Sequence, residues 1–223
     1  MNHPPQKTNR LLLAAALFCA AATLPPAMAG EIYVPLGIPG IGIGYAQPLN
    51  DSFALRADFM TLGQRDKAQE ESGILYQGQL KFHRAALLLD AFPFAGTFRI
   101  TGGVVASQYQ LALDANGAGG SLTIGDRRYT TTAGDGINVQ VKFPTTTPYL
   151  GIGWGHQSGS GWRFSADLGA AIGTATVSAS VRGNLASQPD IQSNLDKELA
   201  DLRNGVGKVK AIPQISIGIG YSF

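Results

Sequence analysis

Charge is scarce in this chain. Asp, Glu, Lys and Arg make up 14% of its 223 residues, against roughly 25% in an ordinary soluble domain. That scarcity disfavours an ion-pair-laced enzyme surface, and the 44% apolar content disfavours a disordered tail. Cysteine occurs once, as Cys19, so no intrachain disulfide framework and no cysteine-based zinc site can form. Runs of Lys or Arg never exceed two residues and the net charge is only +2, so the electrostatic footprint of a nucleic-acid binder is missing. No uncharged apolar run reaches the 18 or so residues of a membrane-crossing helix. What the chain does hold in abundance is glycine, 29 residues of it.

Lys7 and Arg10 precede an uncharged run over residues 11–23, which is followed by Ala27-Met28-Ala29 and Gly30. A basic start, a short apolar stretch and a small-x-small site predict a signal peptide over 1–29, cleaved after Ala29. Cys19 lies inside the apolar stretch behind the bulky Phe18, which does not suit a lipid-attachment site. Residues 30–223 are then one exported domain.

The last residues alternate. Ile215, Ile217, Ile219, Tyr221 and Phe223 share one parity, and Gln214, Ser216, Gly218, Gly220 and Ser222 share the other. Period two means a strand with one greasy face and one small or polar face. The same pattern recurs at Ile41, Ile43 and Tyr45; at Phe53, Leu55, Ala57 and Phe59; and at Phe98, Ile100 and Val104. It returns at Leu150, Ile152 and Trp154, and at Trp162, Phe164 and Leu168. In a transmembrane β-barrel the first set meets lipid and the second fills the lumen. The predicted fold is therefore all-β, an antiparallel transmembrane barrel of eight strands near 31–36, 38–48, 53–63, 75–91, 97–113, 147–157, 162–181 and 212–223. Short connections (37–40, 49–52, 92–96, 158–161) alternate with long ones (63–73, 114–145, 183–210), as outer-membrane barrels require. Thr-, Tyr- and Val-rich runs flanking Ala133-Gly134-Asp135-Gly136 suggest an additional hairpin within 121–143. Ile191, Leu195, Leu199 and Leu202 recur at helical spacing, predicting a short extracellular helix over 189–203, either a cap on the barrel mouth or a plain surface helix.

The segments QLKFHRAALLLDAFPFAG (79–96), TFRITGGVVAS (97–107), PYLGIGWG (148–155) and WRFSADLG (162–169), with the terminal ISIGIGYSF, resemble a family of small proteobacterial outer-membrane β-barrel proteins. The resemblance spans most of residues 30–223 and depends more on the order of the motifs than on any one of them. It implies residence in the outer membrane of a Gram-negative bacterium and supplies no catalytic residues and no cofactor. His156, where Asn is expected after GWG, and Ala91-Phe92, where Trp-His is expected after LLLD, depart from the pattern. The Tyr221 and Phe223 ending resembles the insertion signal of such barrels. Its implied partners are outer-membrane lipids and, during assembly, periplasmic chaperones and the barrel insertion machinery.

Parity assigns a lumen ion-pair network of Arg56, Asp58, Lys81, Arg99, Arg163 and Asp167, since charges of both signs in a narrow interior must pair. On strand 75–91, Leu80 and Phe82 set an even lipid face that would send Arg84 into hydrocarbon, at about 2–4 kcal/mol. A β-bulge near His83 and Arg84 is expected to restore the phase, adding Arg84 and Asp90 to the lumen and turning Leu87 and Leu89 outward. Tyr45, Phe53, Phe98, Trp154 and Trp162 are placed in an interfacial aromatic girdle.

Two rivals to a non-enzymatic structural or surface-interacting role deserve residues. His156 and Ser158 match the His-x-Ser pair of outer-membrane lipid-modifying hydrolases. Against that, His156 has lipid-facing parity, which puts it in the girdle, and no glutamate stands near it in sequence to orient the ring. A small porin or solute channel would need more strands than the alternation supplies. His83 is isolated, so no metal site is expected, and Asp114-Ala115-Asn116-Gly117 is expected as a loop turn rather than a calcium loop.

Overall fold

A computed structural model describes residues 30–71, 73–117, 119–205 and 208–223. The expected signal peptide at 1–29 lies outside the described residues. Among the described residues twelve strands form: β1 (Glu31–Ile38), β2 (Gly40–Asn50), β3 (Phe53–Glu71), β4 (Ile74–Ala91), β5 (Phe98–Gly117), β6 (Ser121–Ile124), β7 (Arg127–Thr130), β8 (Gly136–Lys142), β9 (Thr146–Trp154), β10 (Gly161–Ile172), β11 (Thr176–Arg182) and β12 (Ala211–Ser222). The helix α1 (Ile191–Gly205) precedes β12.

Eight of these strands close a ring, in the order β1-β2-β3-β4-β5-β9-β10-β12. Antiparallel pairing of β1 with β12, from Glu31 opposite Ser222 to Ile38 opposite Ile215, joins the first strand to the last. A closed ring leaves no unpaired edge in the hydrocarbon layer, which is why strands can cross a membrane only as a barrel. Alternation then sorts the two faces. Ile32, Ile43, Phe59, Leu87, Ile100, Leu150, Leu168 and Ile217 are exposed on the outside. The intervening residues are mostly buried, and glycine serves where an aromatic ring crosses the lumen: a Cβ at Gly44 would strike the Tyr33 ring, and one at Gly169 would strike Tyr149. The apolar belt ends on β4 and β5 where Leu87 and Ala85 give way to His83, Lys81 and Gln79, and Val104 and Ala106 to Gln108.

One end of the barrel carries tight turns. Asn50 turns β2 into β3 by accepting the backbone N–H groups of Ser52 and Phe53 at 2.8 and 2.9 Å. At the other end β3, β4 and β5 run on past the belt. The upper part of β5 pairs with β8, from Gln110 opposite Lys142 to Asn116 opposite Gly136, and β8 pairs with β11. The β6–β7 hairpin and α1 cover one face of this extension, burying Ile74, Leu122, Ile124, Leu195 and Leu199 together. The helix is thus part of a folded cap.

Several expectations change here. The span 63–73 is not a loop, because β3 and β4 stay paired up to Glu71 opposite Ile74. The expected strand 162–181 divides, since the chain leaves the ring after Ile172 and rises as β11 to pair with β8. The hairpin within 121–143 turns at Gly125-Asp126, not at 133–136. Asp114 to Gly117 belong to β5 rather than to a turn, with Asp114 bound by the Arg182 guanidinium at 2.5 Å. The β-bulge sits on β3, where the register slips between Thr61 and Gly63, and Gly63 takes a φ of +74° that suits glycine. β4 keeps its phase throughout, so Leu80 and Phe82 point inward with Arg84. They escape lipid because the cap extends the interior above the belt, and both are half-buried there.

Candidate functional site: the sealed lumen

Six charged side chains from four strands meet inside the ring. Asp167 on β10 lies between two guanidiniums, with Arg99 on β5 gripping it through two bonds of 2.9 and 3.1 Å and Arg56 on β3 reaching it at 3.1 Å. The Arg56 Nε also meets Asp90 on β4 at 2.5 Å, and the Thr101 hydroxyl donates to the same carboxylate at 2.6 Å. One layer higher, Arg84 holds Asp58 at 2.7 Å, and Asp58 also accepts the Tyr33 hydroxyl at 3.2 Å. Arg84 further donates to Gln214, whose amide in turn donates to the Tyr109 hydroxyl at 3.1 Å. The Tyr149 ring lies 5.6 Å from the Arg84 guanidinium.

Three guanidiniums therefore face three carboxylates. Arg56 and Arg99 are 2% and 0% exposed, a burial tolerable only because every charge has a partner. A gap of about 10 Å³ lies among them, beside Tyr33, Met60, Leu88 and Tyr149, close to the minimum that holds one water. An eight-stranded barrel has an interior just wide enough for side chains to fill, and here they fill it.

Two residues assigned to this network by parity stand apart from it. Lys81 is on the outward side of β4, above the apolar belt and opposite Gln110, because β4 never changes phase. Arg163 points inward at the turn end, where its guanidinium donates to the Ser158 carbonyl at 3.3 Å.

The girdle positions gather at that same end. Phe98 meets Trp154 edge-on with ring centres 5.6 Å apart, and Trp162 meets Tyr221 at 5.5 Å. Tyr45 lies opposite Ile32, which lies opposite Tyr221, so it shares their row. Phe53, opposite Ala91, is exposed at the turn end as well. The Phe223 backbone N–H donates to the Gly30 carbonyl at 3.0 Å, while its side chain stays exposed.

His156 departs from its expected place in the girdle. Gly155 and His156 both take positive φ, +95° and +63°, as the chain leaves β9. That turn carries the ring inside, where it is 1% exposed and lies 4.3 Å from the Tyr33 ring. Its Nδ1 is 3.0 Å from Glu31, a partner remote in sequence. Inward parity of Glu31 with Tyr33 on β1 was a usable signal; the reversal at His156 had none. Ser158 does not complete a catalytic set, because its hydroxyl donates to Asp51 at 3.5 Å in an exposed turn. Among the described residues no group of three or more His, Cys, Asp or Glu is placed to hold a metal ion.

An apolar outer belt, an aromatic row and a paired ionic interior on one closed ring define an eight-stranded membrane-spanning β-barrel of the outer-membrane type. Its fold is shared with two crystal structures from Acinetobacter baumannii, CarO2 and CarO. Each matches 88% of this chain at a TM-score of 0.56 and 19% identity, covering 99% and 98% of its own length respectively. No family model matches the chain, and no curated protein matches its sequence. The resemblance seen in the motifs is thus met at the level of the fold.

Proposed function

We propose that the chain is a non-enzymatic outer-membrane protein, a closed barrel that anchors a folded cap at the cell surface. The observation behind this reading is the packed ionic layer across the lumen, where Arg56, Arg84 and Arg99 pair with Asp58, Asp90 and Asp167 around a gap of about 10 Å³. In this reading the turn end, with Gly30 and Phe223 beside it, faces the periplasm, and the cap faces outward. Lipid is the partner of the belt, and the insertion machinery reads the end of β12 around Tyr221 and Phe223. Planar-bilayer recording on the purified full chain tests the closed state. The expected result is a quiet bilayer; sustained stepwise conductance overturns it in favour of a channel.

A hydrolase reading has one observation in its favour, the Glu31 carboxylate beside His156. Among the described residues no hydroxyl is hydrogen-bonded to the ring, and Ser158 turns to Asp51 instead. Acyl-ester hydrolysis by the purified barrel, abolished by Ser158→Ala, would restore it.

A further inference from the structure

Above the ionic network the inner face of the cap sheet stays apolar, and part of it is left uncovered. A cavity of about 220 Å³ is walled by Leu80, Phe82, Leu111, Val141 and Phe143, with no charged residue in its lining. A second, of about 450 Å³, lies beyond it, between Tyr76, Leu113 and Val139 on the sheet and Thr123 and Glu198 on the cap. Leu111 is opposite Val141 and Leu113 opposite Val139, successive rungs on one face, so the floor continues from one cavity to the next. From Tyr109 to Leu113 it runs about 13 Å along β5. Leu111 and Leu113 are 39% and 50% exposed although they share the inner face with buried Tyr109. The bond from Gln214 to Tyr109 closes the bottom.

The chemistry of the walls is graded. The lower cavity offers only hydrocarbon and the edge of Gln110. The upper one offers two carboxylates and no cation. Asp114 is already taken by Arg182. Glu198 accepts the Gly125 N–H through Oε2 at 3.2 Å, and its Oε1 has no partner among the described residues. A carboxylate or phosphate head would meet like charge there, whereas a head that donates hydrogen bonds would meet an acceptor.

We infer that this cavity binds a single-chain amphiphile with a neutral or cationic, hydrogen-bond-donating head. The hydrocarbon chain lies over Leu111 and Val141, and the head reaches Glu198. The site rests on the sealed-lumen reading, since an open floor would make it a passage rather than a pocket.

The test uses the full chain in nanodiscs and a medium-length alkylamine carrying a diazirine near its tail, with cross-links mapped by mass spectrometry. Labelling should be saturable, should fall on Leu111, Val141 and Phe143, and should drop at least tenfold under competition by unlabelled alkylamine. Leu111→Trp, which fills the lower cavity, should reduce it similarly. The fatty acid of equal chain length should label several-fold less, and Glu198→Gln should narrow that difference. Cross-links confined to belt residues such as Ile43, Phe59 and Leu87, or equal labelling by amine and fatty acid, overturn the proposal. Conductance of the same preparation separates the two readings. A conducting barrel refutes the sealed lumen, whereas a silent barrel with an unlabelled floor refutes the pocket alone.

Discussion

At the scale of single residues, a carboxylate such as Asp167 matters chiefly for what its loss would leave behind. Arg56 and Arg99 both rest on it, and neither can reach water. Removing one partner of such a buried set typically costs about 3–5 kcal/mol, because the surviving charge is uncompensated. Asp167→Asn should therefore lower the urea midpoint of the folded barrel sharply, followed by its altered mobility on unheated gels. The network is better understood as specifying one inward register than as adding net stability. Replacement of a whole buried pair by well-packed apolar residues is often neutral or stabilising. The same logic explains Arg84, whose inward position spares it about 2–4 kcal/mol of exposure to lipid.

Among the elements, the helix shows how the cap is held. Its apolar stripe of Ile191, Leu195 and Leu199 is buried, and its polar side is latched to the β6–β7 hairpin. Asn194 donates to the Tyr129 hydroxyl at 3.0 Å, and Lys197 pairs with Asp126 at 2.9 Å. The Lys197–Asp126 pair is exposed and screened by water, so the stripe is the main support. Exposed Ser193 gives a direct handle on orientation, the only natural cysteine being Cys19 in the segment expected to be removed. A Ser193→Cys variant should react with a membrane-impermeant maleimide on intact cells; reaction only after permeabilisation would invert the topology.

Acid should loosen this cap. The Thr132 and Leu185 backbone N–H groups, with the Thr132 hydroxyl, hold Asp135 below its ordinary carboxylate range, and the Arg182 guanidinium does so for Asp114. Both folded-state values are depressed, so the stabilisation is complete above the unfolded value of about 4. It is lost as the pH falls through the lowered ones. Hydrogen exchange around residues 132–135 and 182–185, corrected for intrinsic rates, should show protection that holds from neutrality down to the ordinary carboxylate range and declines as the pH falls below it. Protection unchanged by acid would mean that these carboxylates do not tie the cap together.

On the scale of the whole molecule, the ring closes only when β12 meets β1, so folding depends on the two ends of the domain finding each other. Long-range pairing of that kind is slow, which gives assembly machinery something to do. Under the proposed reading Phe223 belongs to the signal that machinery recognises. Deleting it should reduce the heat-modifiable, membrane-embedded form far more than deleting Gly119 in the cap, with fractionation and gel mobility as the readout. Recovery of the protein as a soluble periplasmic species in its unaltered form would refute membrane residence altogether.

Much of the fold was legible because a strand's two faces are written locally, at period two, and because lipid outside and a narrow interior demand opposite residues. Ile215 to Phe223, Trp162 to Leu168 and Phe53 to Phe59 reveal their facing without reference to any other strand, and the inward parity of Arg56, Asp58, Arg99 and Asp167 follows from the same count. Tertiary structure alone decided what depends on distant neighbours. His156 turns inward because two residues of positive φ end β9 beside Glu31. Leu80 and Phe82 face inward because β4 keeps one phase with Arg84 along its whole pairing with β5, and alternation cannot tell a face greasy for lipid from one greasy for an interior above the membrane. The bulge fell on β3 rather than β4 because a register slip is a relation between two strands. β11 left the ring because β8 was there to pair with it.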